Sequence, residues 1–168
     1  MNSNTNTQYH SSSPNGEVRR GLNTNTQYQG SSPNGEVRRG LPRGIRNNNP
    51  LNIRRNPTNK WQGQRPVQTD PAFVQFLSDE WGFRAAAVIL RNYRRKGICT
   101  VRQIISRWAP PSENRTARYI STVCQKTGFQ PDTVIEGRVK EGLLLRAMAL
   151  VETGRLYPLE VIERGLLL

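Results

Sequence analysis

The chain has 168 residues, enough for one domain with a real core. It carries 25 Lys plus Arg against 12 Asp plus Glu, a net charge of +13 that predicts anionic partners: nucleic acid, lipid headgroups or the acidic polymers of a bacterial wall. The single histidine, His10, lies in a polar stretch, which argues against a histidine-ligated metal site and a Ser-His-Asp nucleophile. Cys99 and Cys124 lack metal-ligand spacing, so they read as small buried thiols unless the fold brings them together as a disulfide. No cofactor is implied. The opening MNSNTNTQYHSSSP has no apolar stretch of the signal-peptide kind, and no apolar run reaches the ~18 residues of a membrane span. Membrane insertion is therefore not expected.

A 19-residue unit at 4–22, NTNTQYHSSSPNGEVRRGL, recurs at 23–41 with only His10 and Ser11 replaced, by Gln29 and Gly30. Rich in Asn, Thr, Ser and Gly, it has little to bury and cannot offset its ordering entropy. A disordered tail over 1–41 is expected. The functional alternative is a tether whose GEVRRGL segments dock on a partner protein.

From Pro42 the texture changes. RGIRNNNPLNIRR, rich in Asn and Pro, predicts an ordered loop rather than a helix. Short extended pieces are expected in WQGQRPVQ and AFVQF, broken at Gly63 and Asp70-Pro71. Ser78-Asp79-Glu80 opens a helix with a capping hydroxyl and first-turn acids, running through WGFRAAAVILRNYRR to Gly97. Thr100 to Gln103 has the form of a capping box and starts a second helix, ended at Pro110-Pro111. A third covers ENRTARYISTVCQKTG. A fourth, apolar helix spans roughly 136–153 with Gly154 as its cap, and a short last one follows Tyr157-Pro158. The expected class is α+β, mainly helical, with a small extended lobe.

The fourth helix carries the clearest chemical signal. Leu143 to Leu145 and Ala147 to Val151 occupy nearly every face, so the helix should be central and surrounded. Glu152 at its end meets low dielectric and the negative end of the helix dipole, both of which raise a carboxyl pKa. A carboxylic acid kept protonated near neutrality can act as a general acid. The plainer alternative is an exposed Glu152 paired with Arg155.

The stretches RGIRNNNPLNIR, Trp61-Gln62-Gly63, FVQFLSDEWGFRA, IISRWAPPSENRTARYI and ALVETGRLYP resemble a family of small phage virion proteins, over residues 42 to about 160. Leu51, Asp79 and Thr153 stand where that pattern has Gly, Pro and Asn. A second resemblance is to peptidoglycan glucosaminidases and lytic transglycosylases of the lysozyme-like superfamily. Their catalytic glutamate ends an apolar helix and is followed by an Asn-rich loop, a W-x-G turn and an F-x-x-Y-x-S segment. Here Asn49-Pro50-Leu51-Asn52-Ile53, Trp61-Gln62-Gly63 and Phe73 to Ser78 keep that order, but the glutamate helix comes last, as in a circular permutation.

This second resemblance implies a lysozyme-like domain at 42–168 that cleaves the glycan strand of bacterial peptidoglycan, with Glu152 as general acid. Glu80 is either a helix N-terminal charge or a second carboxylate. Trp61, Tyr119 and Tyr157 either stack on sugars or fill the core. Asn49 and Asn52 hold the loop and only secondarily bind N-acetyl groups. The first resemblance, which does not reach the tail, implies location in the phage particle, acting on the host wall or periplasm; other virion proteins are the expected partners of the tail if it is a tether. Two other classes stay open: a non-catalytic structural or wall-binding virion protein, and a DNA-associated basic protein supported by charge alone.

Overall fold

The computed structural model describes residues 40–109 and 113–168, so nearly all of the repeated segment lies outside the described residues. Six helices and no strand occur among them: α1 (Arg43–Arg46), α2 (Asp79–Arg95), α3 (Val101–Trp108), α4 (Glu113–Thr127), α5 (Gly137–Thr153) and α6 (Leu159–Leu167). The mainly helical class holds. α3 has the expected capping box, with both the Thr100 and Gln103 side chains bonded to backbone amides. Ser78 does not cap α2 through its side chain, contrary to expectation; its backbone is extended and Asp79 and Glu80 supply only first-turn charge.

Two expectations for the first third need correction. The loop predicted for RGIRNNNPLNIRR begins with the single helical turn α1. The extended pieces pair only through isolated antiparallel bridges, Arg54 with Phe73 and Gln64 with Phe76. Pro57, Pro66 and Pro71 interrupt the segment and remove backbone donors. A few backbone bonds remain, such as the Arg55 amide to the Ala72 carbonyl and the Leu77 amide to the Gly63 carbonyl, both at 2.8 Å, and side-chain amides add to them. Gln75 Oε1 accepts the Thr69 amide at 2.6 Å, and Gln68 bonds both the Gln75 amide and carbonyl at 2.8 Å.

Three consecutive asparagines stitch this lobe to the body. Asn47 donates to Asp70 Oδ2 at 2.8 Å. Asn48 donates to the Phe76 and Leu77 carbonyls at 3.1 and 3.0 Å. Asn49 donates to the Ile53 and Val74 carbonyls at 2.9 Å and accepts the Ile53 amide at 2.8 Å. A primary amide offers two donors and an acceptor on a short stem, which lets a loop be ordered without a ladder. Asn48 and Asn52 have φ of 50° and 49°, a left-handed conformation that asparagine tolerates better than most residues.

α5 is the central helix, packed against α1, α2, α4 and α6. Leu144, Leu145, Ala147, Met148 and Ala149 are buried on it. It stops at Gly154, whose φ of 72° carries the chain out through an amide bond to the Leu150 carbonyl at 2.9 Å. α2 lies close to α6 because Gly165 has no Cβ; one would sit 2.6 Å from the Glu80 carbonyl. Cys99 and Cys124 are half-buried free thiols. Among the described residues, no helix is long and apolar enough to cross a membrane.

Candidate functional site

The C-terminal end of α5 opens onto a cleft of about 970 Å³. One wall is the Asn-stitched loop, which contributes Leu51, Asn52, Arg54, Trp61 and Phe73. The opposite wall is built from the end of α2 (Tyr93 and Lys96), the end of α3 (Trp108) and α4 (Arg115, Arg118 and Tyr119). Glu152 lies where the walls meet and is the one acidic side chain among the described residues lining the cleft. Its position follows from the sequence: the buried residues of α5 carry the helix to this spot, and Gly154 ends it there.

Both oxygens of Glu152 are held. Tyr119 Oη donates to Oε1 at 3.0 Å, and Asn52 Nδ2 donates to Oε2 at 3.0 Å. The same amide group reaches the Glu152 main-chain carbonyl at 3.2 Å. Desolvation raises the carboxyl pKa above its ordinary value, and the Asn52 and Tyr119 hydrogen bonds pull the other way without cancelling it. Tyr119 is raised well above the ordinary phenol range, by burial first and then by the neighbouring carboxylate, so it stays a neutral hydroxyl.

The structure thus brings Glu152, Asn52, Trp61 and Tyr119 to one cleft and leaves three other candidates outside it. Asn49 is fully buried, with its amide committed to Ile53 and Val74, so it orders the loop and cannot reach a ligand. Tyr157 is also fully buried, its ring edge-on to Phe83 with centroids 5.2 Å apart; it belongs to the core. Glu80 is tied to Arg164 of α6 at 2.9 Å and does not line the cleft. Desolvation acts to raise its pKa, but hydrogen bonds from Ser78, its own amide and Arg164 outweigh it and leave the group lowered. That is the behaviour of a fixed helix-terminal charge.

Sequence reading had missed other parts of the cleft. Tyr93 and Trp108 meet edge-on, with centroids 6.4 Å apart and planes at 76°. Tyr93 is half-buried and serves both core and cleft. Phe73 lies under the Arg54 guanidinium at 5.3 Å. The one local signal was an aromatic just before a Pro-Pro pair at the end of a helix. Nothing in that signal says what Trp108 faces.

The cleft thus holds a carboxyl whose pKa is raised by burial, set among aromatic faces, amide groups and cations. The chain is 35% identical to Protein P5 of Pseudoalteromonas phage PM2 over 126 residues, covering 73% of this chain and 79% of the relative. It belongs to the family of that phage protein. No family model matches it.

Proposed function

We propose that this protein cleaves the glycan strand of bacterial peptidoglycan between N-acetylmuramic acid and N-acetylglucosamine, with Glu152 as general acid. The observation that carries this reading is the protonatable carboxyl where the two cleft walls meet. The cleft volume stands at the upper end of the range for ligand sites, roughly 300–1,000 Å³, as a strand of several sugars requires. Trp61 and Trp108 offer faces for sugar rings. Arg54, Lys96 and Arg118 give the cleft the sign that suits a wall polymer bearing carboxylates.

In the step, the Glu152 proton passes to the glycosidic oxygen as the bond from that oxygen to C1 breaks. The leaving sugar departs with its new hydroxyl. An incoming oxygen, from water or from the muramic acid's own C6 hydroxyl, bonds to C1 and returns its proton to Glu152. Glu80 has no part in this scheme. The arrangement fits a lysozyme-like domain over residues 42–168 whose glutamate helix has moved to the end of the chain. Family membership supports a place in the phage particle, where such an enzyme would open the wall locally for genome delivery or lysis. The repeated tail would then dock on other virion proteins.

The basic rim favours a second reading, a wall-binding virion protein that does not cut. Muropeptides released from purified sacculi distinguish the two by mass. Cleavage by the wild type and its loss in Glu152→Gln are the expected results; no release from several kinds of sacculi would leave the binding reading. Anhydro ends would mean intramolecular attack, and reducing ends would mean water.

A further inference from the structure

We infer that Tyr119 and Asn52 are positioning residues that clamp the Glu152 carboxyl by both oxygens and allow it to change protonation state without moving. The inference deepens the reading of Glu152 as proton donor, yet the clamp can be measured without substrate.

The two partners differ in what they can do. The Asn52 amide nitrogen only donates. It holds Oε2 at 3.0 Å and the Glu152 main-chain carbonyl at 3.2 Å, so it grips side chain and helix end together. Its own Oδ1 is buried and turned toward Gly44, where an added Cβ would lie 2.8 Å from it. The amide is therefore oriented with its donor side on the carboxylate. The Tyr119 hydroxyl can donate or accept. It has one proton and two acceptors in reach, Glu152 Oε1 at 3.0 Å and the Met148 carbonyl at 3.4 Å. With Glu152 ionised, the hydroxyl donates to Oε1. With Glu152 protonated, the hydroxyl turns to Met148 and accepts from Oε1. The proton therefore resides on Oε1, and in either state both carboxyl oxygens of Glu152 and the Tyr119 hydroxyl keep a partner.

The remaining titratable or charged groups lining the cleft are Arg54 from the loop, Tyr93 and Lys96 from the end of α2, and Arg115 and Arg118 from α4. The resonance followed belongs to Glu152 itself, so its titration reports that carboxyl and its clamp.

The test is a titration of the Glu152 carboxyl carbon by NMR in the full chain, with the resonance identified by its loss in Glu152→Gln. Tyr119→Phe removes only the hydroxyl. Losing a donor to the ionised form should raise the midpoint by about one pH unit, a tenfold change in proton affinity. Asn52→Gly keeps the φ of 49° accessible while removing the other donor, and it should shift the midpoint in the same direction. The alkaline limb of sacculus cleavage should move with the midpoint. Unmoved midpoints in both variants, with or without a fall in Tm, would overturn the clamp and reduce both residues to packing. Should Tyr119→Phe fail to fold, Asn52→Gly decides alone from the opposite wall. Shifted midpoints in a protein that cuts no sacculus would sustain the clamp and sink the proton-donor reading.

Discussion

Glu152 and Asp70 are both partly or wholly removed from solvent, yet burial has opposite outcomes for them. At Glu152 desolvation wins and raises the pKa. The folded state then binds the proton more tightly than the unfolded chain, whose value is near 4.5. Stability therefore falls as pH rises from about that value through the folded one. Glu152→Gln removes this penalty. The variant should melt at least as high as wild type at pH 7, with the difference vanishing near pH 4, while cleavage falls by roughly 10²–10⁴-fold. A lower Tm at pH 7 would show that the carboxylate stabilises the fold. At Asp70 desolvation also raises the pKa, but Asn47, the Ala72 and Phe73 amides and Arg43 outweigh it and leave the group lowered. Its contribution is present above pH 3.8 and is lost as pH falls through the lower folded value. Asp70→Asn sets an amide donor against the donors of Asn47 and Arg43. It should cost about 1–3 kcal/mol in denaturant unfolding at pH 7, and that gap should narrow in acid.

Elements meet in this fold where a side chain is missing. Gly82 lets α2 lie on the Asn-rich loop, and a Cβ there would come 2.6 Å from both the Asn48 carbonyl and the Pro50 ring. Backbone cannot move aside as a flexible side chain does, so Gly82→Ala should destabilise by about 1–3 kcal/mol despite its better helix propensity. A thermal or urea melt checks the sign; a gain would mean that the loop shifts freely. Gly44 does the same service for α1 against the end of α5, where a Cβ would lie 2.7 Å from Thr153 Cγ2 and 2.8 Å from Asn52 Oδ1. Gly44→Ala should therefore disturb the site as well as the packing. Displacement of Asn52 should raise the Glu152 titration midpoint, and an unshifted midpoint would show that the loop absorbs the methyl elsewhere.

For the whole molecule, the buried apolar residues among those described run from Leu51 to Ile162. A chain beginning at Pro42 should keep the Tm of the full chain within about 2 °C, because polar repeats contribute little apolar burial. Scanning calorimetry of both chains checks this, and a large drop on truncation would assign the tail a folding role. The positive charge has its own consequence at this scale. Association with sacculi should weaken with added salt, as screening over ~10 Å at 0.1 M dictates.

Five of the six helices were legible along the chain, because their starts and stops depend on local chemistry; the single turn α1 and the missing Ser78 cap were not. The Thr100–Gln103 capping box, Gly154 after α5 and the apolar run that makes α5 central all act within a few residues. The sequence by itself also marked Glu152 as unusual, since a carboxyl ending a buried helix is a contradiction visible along the chain. It did not show that the extended lobe stops at isolated bridges: how far backbone pairing runs before Gln68, Gln75 and the Asn47–Asn49 amides supplement it depends on its neighbours. Nor could it sort Asn52 from Asn49, or Tyr119 from Tyr157, because which of them reaches Glu152 depends on contacts between distant segments. Only tertiary structure decided that, because Asn52 and Glu152 stand a hundred positions apart and meet only when α5 is packed against the loop.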